Sequence, residues 1–178
     1  RLIEYLDCLP VTLLSVDNIE ADDAIAYIAN EVYTEPNQKV QIVSTDRDFL
    51  QLVNDRISVW SPIKKKMYNP RLMQEEFGIN ASNYLLYRTF LGDKSDNIPG
   101  LKGVGPKSLL KHFPMFTEDR SLTVRELVEH ATNVDKKYKV HTLVSENEEL
   151  LDLNYKLMQL QEVDIHGGAK MVTLDAMQ

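Results

Sequence analysis

The chain has 178 residues with 27 acidic and 20 basic side chains, and its net charge of −7 excludes a bulk polycation. Contact with nucleic acid would therefore need a local basic patch. A composition of 43% hydrophobic and 26% charged residues is typical of a globular protein with one full domain and a small second one. The single Cys8 excludes a disulfide framework and a cysteine zinc site, and it fits a reducing, cytoplasmic compartment. No apolar run approaches the roughly 20 residues of a membrane helix, so we expect no membrane partner.

Apolar residues at strand and helix spacing predict an α/β core in the first third of the chain. The strands are apolar throughout, as in a parallel sheet that is covered on both faces. The expected order is a helix over 1–9, a strand over 11–16, a helix over 20–32, a strand over 39–44, a short helix over 46–52 and a strand over 57–60.

The remainder of the chain is predicted to be mainly helical. A basic turn between strands precedes a series of helices and one loop rich in glycine, aspartate and proline. These are the turn 61–68, helices 69–77 and 80–91, the loop 92–105, helices 106–113, 121–132 and 145–161, and a tail 163–178 with one short strand. We therefore divide the chain into an α/β core, residues 1–68, and a helical module with a C-terminal extension, residues 69–178.

Acidic side chains follow the first two predicted strands and recur in the glycine-rich loop. In an open parallel sheet the carboxyl ends of neighbouring strands meet at one crevice, so these acids would lie together. Clustered carboxylates repel one another in a partly dry crevice and therefore require cations. The seven candidate catalytic and metal-binding residues are Glu20, Asp22, Asp23, Asp46, Asp48, Asp93 and Asp96.

Oxygen ligands with no cysteine or histidine beside them favour Mg²⁺ or Mn²⁺ over zinc. Two such ions about 4 Å apart would form the clamp that hydrolyses phosphodiesters by in-line attack. Each acidic block also has a purely structural interpretation: a helix start that complements the dipole, an N-cap, or a turn. The coincidence of all three blocks at one end of a sheet favours the metal site.

A glycine turn that leads into a helix supplies the second candidate site. Gly103 and Gly105 flank Val104, and exposed backbone N–H groups at such a turn can hold a phosphate. Residues 97–113 contain three lysines and no acid, which makes a local basic patch. The pattern resembles a helix-hairpin-helix element, which contacts the DNA backbone without reading bases; a plain helical corner is the alternative. The candidate DNA contacts are Lys102, Gly103, Val104, Gly105, Lys107 and Lys111.

Three consecutive lysines in the turn 61–68 offer a further phosphate contact. We include Lys65 and Lys66 among the candidate DNA-binding residues. A solvated hairpin tip is the alternative interpretation of this basic run.

Four blocks in this order resemble the flap endonuclease and 5′-3′ exonuclease superfamily: EADD at 20–23, TDRD at 45–48, GDKSDNIPG at 92–100 and GVGPK at 103–107. The sequence WSP at 60–62, with lysines nearby, is similar to the phage branch of the T-even ribonuclease H type. The bacterial 5′ nuclease domain that is linked to polymerases is similar as well.

The resemblance implies a PIN-like parallel-sheet nuclease core with a helix-three-turn-helix module, and Mg²⁺-dependent cleavage of 5′ ends, flaps and RNA primers. It assigns Asp22 and Asp46 mainly to a tighter ion, and Glu20 to contact through water. It assigns Asp48, Asp93 and Asp96 to a second ion, some through water. It also implies K⁺ at the glycine turn, bound by carbonyl oxygens.

The partners that the resemblance implies are DNA with a 5′ flap, nick or gap, an RNA–DNA hybrid, and a replication clamp or single-strand-binding protein. The expected location is the cytoplasm of a bacterium or of a phage-infected cell.

The chain departs from the family pattern at its start. Family members carry further aspartate ligands and a basic arch before the first matching block, whereas this sequence begins at Arg1. We therefore expect an incomplete core and weak or absent activity from this chain alone. The rival hypotheses are a non-catalytic, structure-specific DNA-binding module and a small-molecule phosphohydrolase.

Overall fold

A computed structural model describes residues 2–6, 8–162 and 167–177 of the chain. The helices within these ranges are α1 (Leu2–Leu6), α2 (Ala21–Tyr27), α3 (Pro70–Phe77), α4 (Tyr84–Leu91), α5 (Pro106–His112), α6 (Val124–Asn133), α7 (Lys139–Ser145), α8 (Glu148–Met158) and α9 (Gly167–Met177). A π-helical turn, Ile28–Val32, extends α2, and short 3₁₀ helices span Asp48–Leu52, Ala81–Asn83 and Pro114–Thr117. None of the described helices is long and apolar enough to cross a lipid bilayer.

Five short strands form two sheets in the described part of the chain. They are β1 (Val40–Val43), β2 (Ile57–Ser61), β3 (Lys66–Tyr68), β4 (Gly92–Asp93) and β5 (Ile98–Pro99). The first sheet has the order β1-β2-β3, with β1 and β2 parallel and β2 and β3 antiparallel. The other sheet is the antiparallel pair of β4 and β5. The predicted α/β class is thus confirmed, and the basic turn 61–68 does join two strands.

The expectation of a strand over 11–16 is wrong. This run has no regular secondary structure, and the side chains of Val11 and Leu13 are 53% and 55% exposed. A strand takes its backbone hydrogen bonds from a neighbouring strand, and no described segment pairs with this run. The expectation that the sheet is covered on both faces is also wrong at the β1 edge, because the side chain of Val43, at the end of β1, is 63% exposed.

The C-terminal tail also differs from the prediction. Residues 167–177 form helix α9 where we expected a short strand. A helix satisfies its own backbone hydrogen bonds, so this segment needs no neighbouring strand. Residues 1 and 7 of the expected first helix, and residues 163–166 and 178 of the tail, lie outside the described residues.

One hydrophobic cluster extends from Ala26 in α2 to Leu151 in α8. It contains buried residues from both sides of position 68, including Ile57 and Phe90, which are fully buried. This core is therefore continuous across the expected boundary at residue 68. The division of the chain into parts 1–68 and 69–178 stays a prediction.

The hairpin of β4 and β5 carries two of the candidate acids, and two glycines close it. A Cβ on Gly100 would lie 2.2 Å from the carbonyl carbon and oxygen of Leu91, and a Cβ on Gly92 would lie 2.2 Å from the nitrogen of Gly100. The backbone at Gly92 and the backbone at Gly100 are therefore in contact, and any residue with a side chain would clash at either position. The buried side chain of Asn154 donates hydrogen bonds to the carbonyl oxygens of Pro99, at 2.8 Å, and Thr89, at 3.2 Å. Helix α8 therefore fixes the base of this hairpin.

We predict that Gly100→Ala destabilises the protein by about 3 kcal/mol, the upper range for overpacking, because the added methyl group would meet backbone that cannot move aside. The measurement is the free energy of unfolding from a urea titration. Gly105→Ala is the matched control, since nothing lies within 4 Å of its Cβ position. Equal stability of the two variants would contradict the close approach at Gly100.

Candidate metal centre and nucleic-acid interface

Three aspartates from two distant segments of the sequence meet at one point. One carboxylate oxygen from each of Asp48, Asp93 and Asp96 lies within 4.8 Å of the others. Asp48 begins the 3₁₀ helix Asp48–Leu52, whose other residues are all buried. Asp93 ends β4, and Asp96 lies in the turn that follows. The core thus anchors the first acid and the closed hairpin anchors the other two.

Local hydrogen bonds fix the acidic loop after β1. The backbone N–H of Asp46 donates to Oγ of Ser44 at 3.0 Å, and the N–H of Asp48 donates to Oδ1 of Asp46 at 2.9 Å. In the hairpin, the N–H of Ser95 donates to Oδ1 of Asp93 at 2.8 Å, and the Ser95 hydroxyl contacts the same oxygen. These turns orient the carboxylates before any ion binds.

Arg88 is a functional candidate that the sequence reasoning missed. It lies on α4 with only 14% of its side chain exposed, and its Nη2 donates to Oδ1 of Asp48 at 3.2 Å and to Oδ2 of Asp93. Its buried Nε has no hydrogen-bond partner in the described part of the chain. The available signal was one basic residue within an otherwise apolar and aromatic helix, YLLYRTFL.

Electrostatics link the remaining acids to this group. Burial raises the pKa of Asp22, and the negative charges of Asp46, Glu20, Asp23 and Asp96 raise it further.

Burial likewise raises the pKa of Asp48, and the charge of Arg88 opposes this rise, while Asp46 and Asp96 add to it. The charges of Asp46 and Asp96 therefore act on both Asp22 and Asp48, whereas Asp48, Asp93 and Asp96 are the acids that the described structure brings within ligand distance of one another. Their individual roles stay predictions.

The chemistry of the triad fits a divalent cation. All three residues offer oxygen, the ligand that Mg²⁺ and Mn²⁺ prefer. Three carboxylates and the Arg88 guanidinium together carry a net charge of −2, which one divalent ion would neutralise. Each carboxylate oxygen has two lone pairs, so Arg88 and an ion can share the same acids.

The predicted glycine turn precedes α5 as expected. Gly103 has a φ of +89°, a conformation that glycine adopts freely, and Gly105 is the N-cap of the helix. Val104 is buried, which holds the turn against the core. Lys107 and Lys111 lie four residues apart on the exposed side of α5, and Lys102 is also exposed.

The lysines of the turn 61–68 have a local acidic partner. Lys66 forms an ion pair of 2.7 Å with Glu76, and Lys64 lies 3.7 Å from the same carboxylate. Lys64 also donates to the Tyr68 hydroxyl at 3.1 Å. Lys65, at the tip with a φ of +51°, has no such pair among the described residues. DNA contact by Lys65 and Lys66 stays a prediction.

Comparison with known proteins gives a consistent assignment. The family described as 5′-3′ exonuclease, N-terminal resolvase-like domain, matches residues 1–78. A 5′-3′ exonuclease of Aquifex aeolicus is 31% identical over 186 residues, which cover 95% of this chain and 64% of that protein. A thermostable DNA polymerase I of Thermus thermophilus is 35% identical over 138 residues, 78% of this chain and 16% of the polymerase.

A solved relative shares the fold. A variant of the phage T5 flap endonuclease, in a pseudo-enzyme-product complex with DNA and metal ions, matches with a TM-score of 0.76 at 22% identity, over 98% of this chain and 64% of that chain.

By these matches the chain is similar to 5′-3′ exonucleases, with residues 1–78 matching the family model, and it shares the fold of the phage T5 flap endonuclease. The chain spans 64% of the length of the Aquifex relative and 16% of the Thermus relative. The narrower expectation of a T-even phage type stays a prediction.

Arg88→Met removes the cation and keeps a side chain of similar length. We predict a loss of about 2–4 kcal/mol in the free energy of unfolding in EDTA, because Asp48 and Asp93 would stay partly buried without a partner. Arg88→Lys should lose less, since it keeps the charge but not the forked geometry. Urea titration measures both variants, and wild-type stability of Arg88→Met would contradict this role.

The raised pKa of Asp22 determines the direction in which the stability of the protein changes with pH. The folded protein holds the Asp22 proton more tightly than the unfolded chain, so this residue costs stability as the pH rises through its folded pKa. We therefore predict that Asp22→Asn has a higher Tm than the wild type at neutral pH in EDTA, and that the difference shrinks toward pH about 4. Asp152→Asn, on the exposed face of α8, is the control. A lower Tm of Asp22→Asn than of the wild type at neutral pH would contradict the raised pKa of Asp22.

Proposed function

We propose that this chain is part of a structure-specific 5′ nuclease, a flap endonuclease or 5′-3′ exonuclease that hydrolyses phosphodiester bonds with two divalent ions, Mg²⁺ or Mn²⁺. The observation that carries the proposal is the convergence of Asp48, Asp93 and Asp96, whose carboxylate oxygens lie within 4.8 Å of one another. The relative from Aquifex is named a 5′-3′ exonuclease, and the T5 relative was solved with DNA and metal ions.

In this proposal Asp48, Asp93 and Asp96 hold one ion, and Asp22 and Asp46 hold the other, with Glu20 and Asp23 nearby. Bound ions would supply a hydroxide at neutral pH and neutralise charge on the phosphate.

Arg88 bridges Asp48 and Asp93 and orients both carboxylates, since its Nη2 contacts one oxygen of each. In this proposal a metal-bound hydroxide is the nucleophile, so no serine, cysteine or histidine side chain needs to attack the phosphate.

The substrate in this proposal is DNA with a 5′ flap, nick or gap. The turn Gly103–Gly105 and Lys107 would hold the duplex backbone, which positions the substrate without reading its sequence. K⁺ at this turn, an RNA–DNA hybrid as substrate, and a clamp or single-strand-binding protein as partner are further parts of the proposal that rest on the family resemblance alone.

The test is cleavage of a 5′-labelled flap duplex, with Mg²⁺ and with EDTA, by this chain and by a form extended to the length of the Aquifex relative. We predict Mg²⁺-dependent cleavage by the extended form. In that form, Asp46→Asn should reduce the rate by about 100-fold or more, because it removes a ligand charge, while leaving duplex affinity in EDTA unchanged. The matched control is Asp152→Asn, whose rate should equal that of the wild type.

Three outcomes would count against the proposal in different ways. Duplex binding without cleavage by either form would select the non-catalytic DNA-binding module. Hydrolysis of a simple phosphate ester without duplex affinity would select the small-molecule phosphohydrolase. An unchanged rate of Asp46→Asn would remove Asp46 from the metal site.

A further inference from the structure

A second basic segment lies beside helix α5, in a part of the sequence without a recognised motif. Residues 135–139, DKKYK, are all exposed and lead into α7. They contribute Lys136, Lys137 and Lys139, with Asp135 as the acid within the segment. We call these three lysines, together with Lys107 and Lys111 of α5, the α5–α7 basic surface.

The lysines of this surface lack acidic partners, whereas many other cations have them. In the described part of the chain, none of the five forms an ion pair or donates a hydrogen bond to an acid. By contrast, Arg71 and Glu75 pair at 2.7 Å, Arg125 and Glu129 pair at 2.9 Å, and Arg120 pairs with two glutamates. In a chain of net charge −7, five lysines on adjoining elements, with Asp135 as the acid beside them, make a local positive field that attracts polyanions.

Packing fixes the segment against α5. The ring of Tyr138 lies 4.5 Å from the ring of His112, the last residue of α5, and Nζ of Lys136 lies 5.4 Å above the Tyr138 ring. The N–H of Tyr138 donates to Nδ1 of His141, which is only 2% exposed. The buried histidine thus anchors the turn, and the exposed tyrosine joins it to the helix that follows the glycine turn.

We propose that the α5–α7 basic surface extends the phosphate-binding site of the glycine turn, so that Lys136, Lys137 and Lys139 contact backbone phosphates of the same DNA duplex farther along its length. This inference rests on the proposed function, because Lys107 and the turn set the position of the duplex. The surface carries lysines and the exposed ring of Tyr138, and lysines contact phosphates as point charges, so the proposed contact is to the backbone and independent of sequence.

The test compares duplex affinity of the 178-residue chain with that of Lys136→Gln/Lys137→Gln, by fluorescence anisotropy of a labelled blunt duplex in EDTA over a range of KCl concentrations. Both substitutions lie before α7, in exposed positions. Each lost phosphate contact should lower the slope of log K against log salt by about 0.9. We expect the double variant to lower it by between about 1 and 2, and to bind about tenfold or more weakly at 0.1 M salt.

Arg71→Gln/Arg125→Gln is the matched control, because it removes the same charge from side chains that are 87% and 82% exposed elsewhere on the protein. Lys107→Gln tests the glycine turn itself. A loss in the control equal to that in Lys136→Gln/Lys137→Gln would overturn the inference, since net charge would then explain it.

A loss in Lys107→Gln alone would overturn the extended surface and leave the proposed function standing. No duplex binding by the unmodified chain, or no loss in either lysine variant, would overturn both.

Discussion

Asp48, Asp93 and Asp96 hold three negative charges close together, and the charges of Asp46 and Asp96 also act on Asp22. Burial and repulsion between these acids cost free energy in a folded protein without bound cations; burial first, and then neighbouring negative charge, raises the pKa of Asp22 and of Asp48. Arg88 offsets part of the cost from within the chain. The negative charge that Arg88 leaves unbalanced equals in magnitude that of one divalent ion. The same cluster of carboxylates therefore lowers the stability of the ion-free protein and favours the binding of a divalent cation.

Such a cluster persists only if the surrounding structure is rigid. The hairpin of β4 and β5 is closed by the contact of Gly92 and Gly100, and Asn154 of α8 holds its base through two backbone carbonyls. Helix α8 lies far along the sequence from every candidate ligand. The C-terminal helices therefore contribute to the geometry of the crevice, although they carry none of its acids.

The elements that could be predicted from the sequence are those whose signal is local. The strands β1 and β2, the helix α2 that begins within EADD and the glycine turn before Pro106 follow from apolar spacing and turn residues. The strand expected over 11–16 depends on a pairing partner, which no local pattern encodes. Helix α7 was missed because DKKYK suggests a loop and only Val140, His141 and Val144 are buried.

The candidate site likewise contains residues with a local sequence signal and residues that only the folded structure brings together. TDRD follows strand β1 and GDKSDNIPG forms the glycine-rich hairpin, whereas EADD follows no strand in the described part of the chain, so this block is supported by a resemblance to a known family rather than by sheet geometry. Arg88 was missed because its ion pairs join residues 40 and 5 positions away, and only the folded chain brings them together. The partnership of Lys64 and Lys66 with Glu76 likewise comes from packing of the β2–β3 turn against α3.

The central claim is that the carboxylate crevice binds divalent cations. Isothermal titration calorimetry with Mn²⁺ tests it most directly, on the chain itself and on Asp48→Asn/Asp93→Asn, with Asp55→Asn/Asp152→Asn as a control of equal charge. The account predicts saturable binding to the chain and to the control, and the loss of one ion from Asp48→Asn/Asp93→Asn. The same isotherm for all three proteins, or no binding by the unmodified chain, would contradict it.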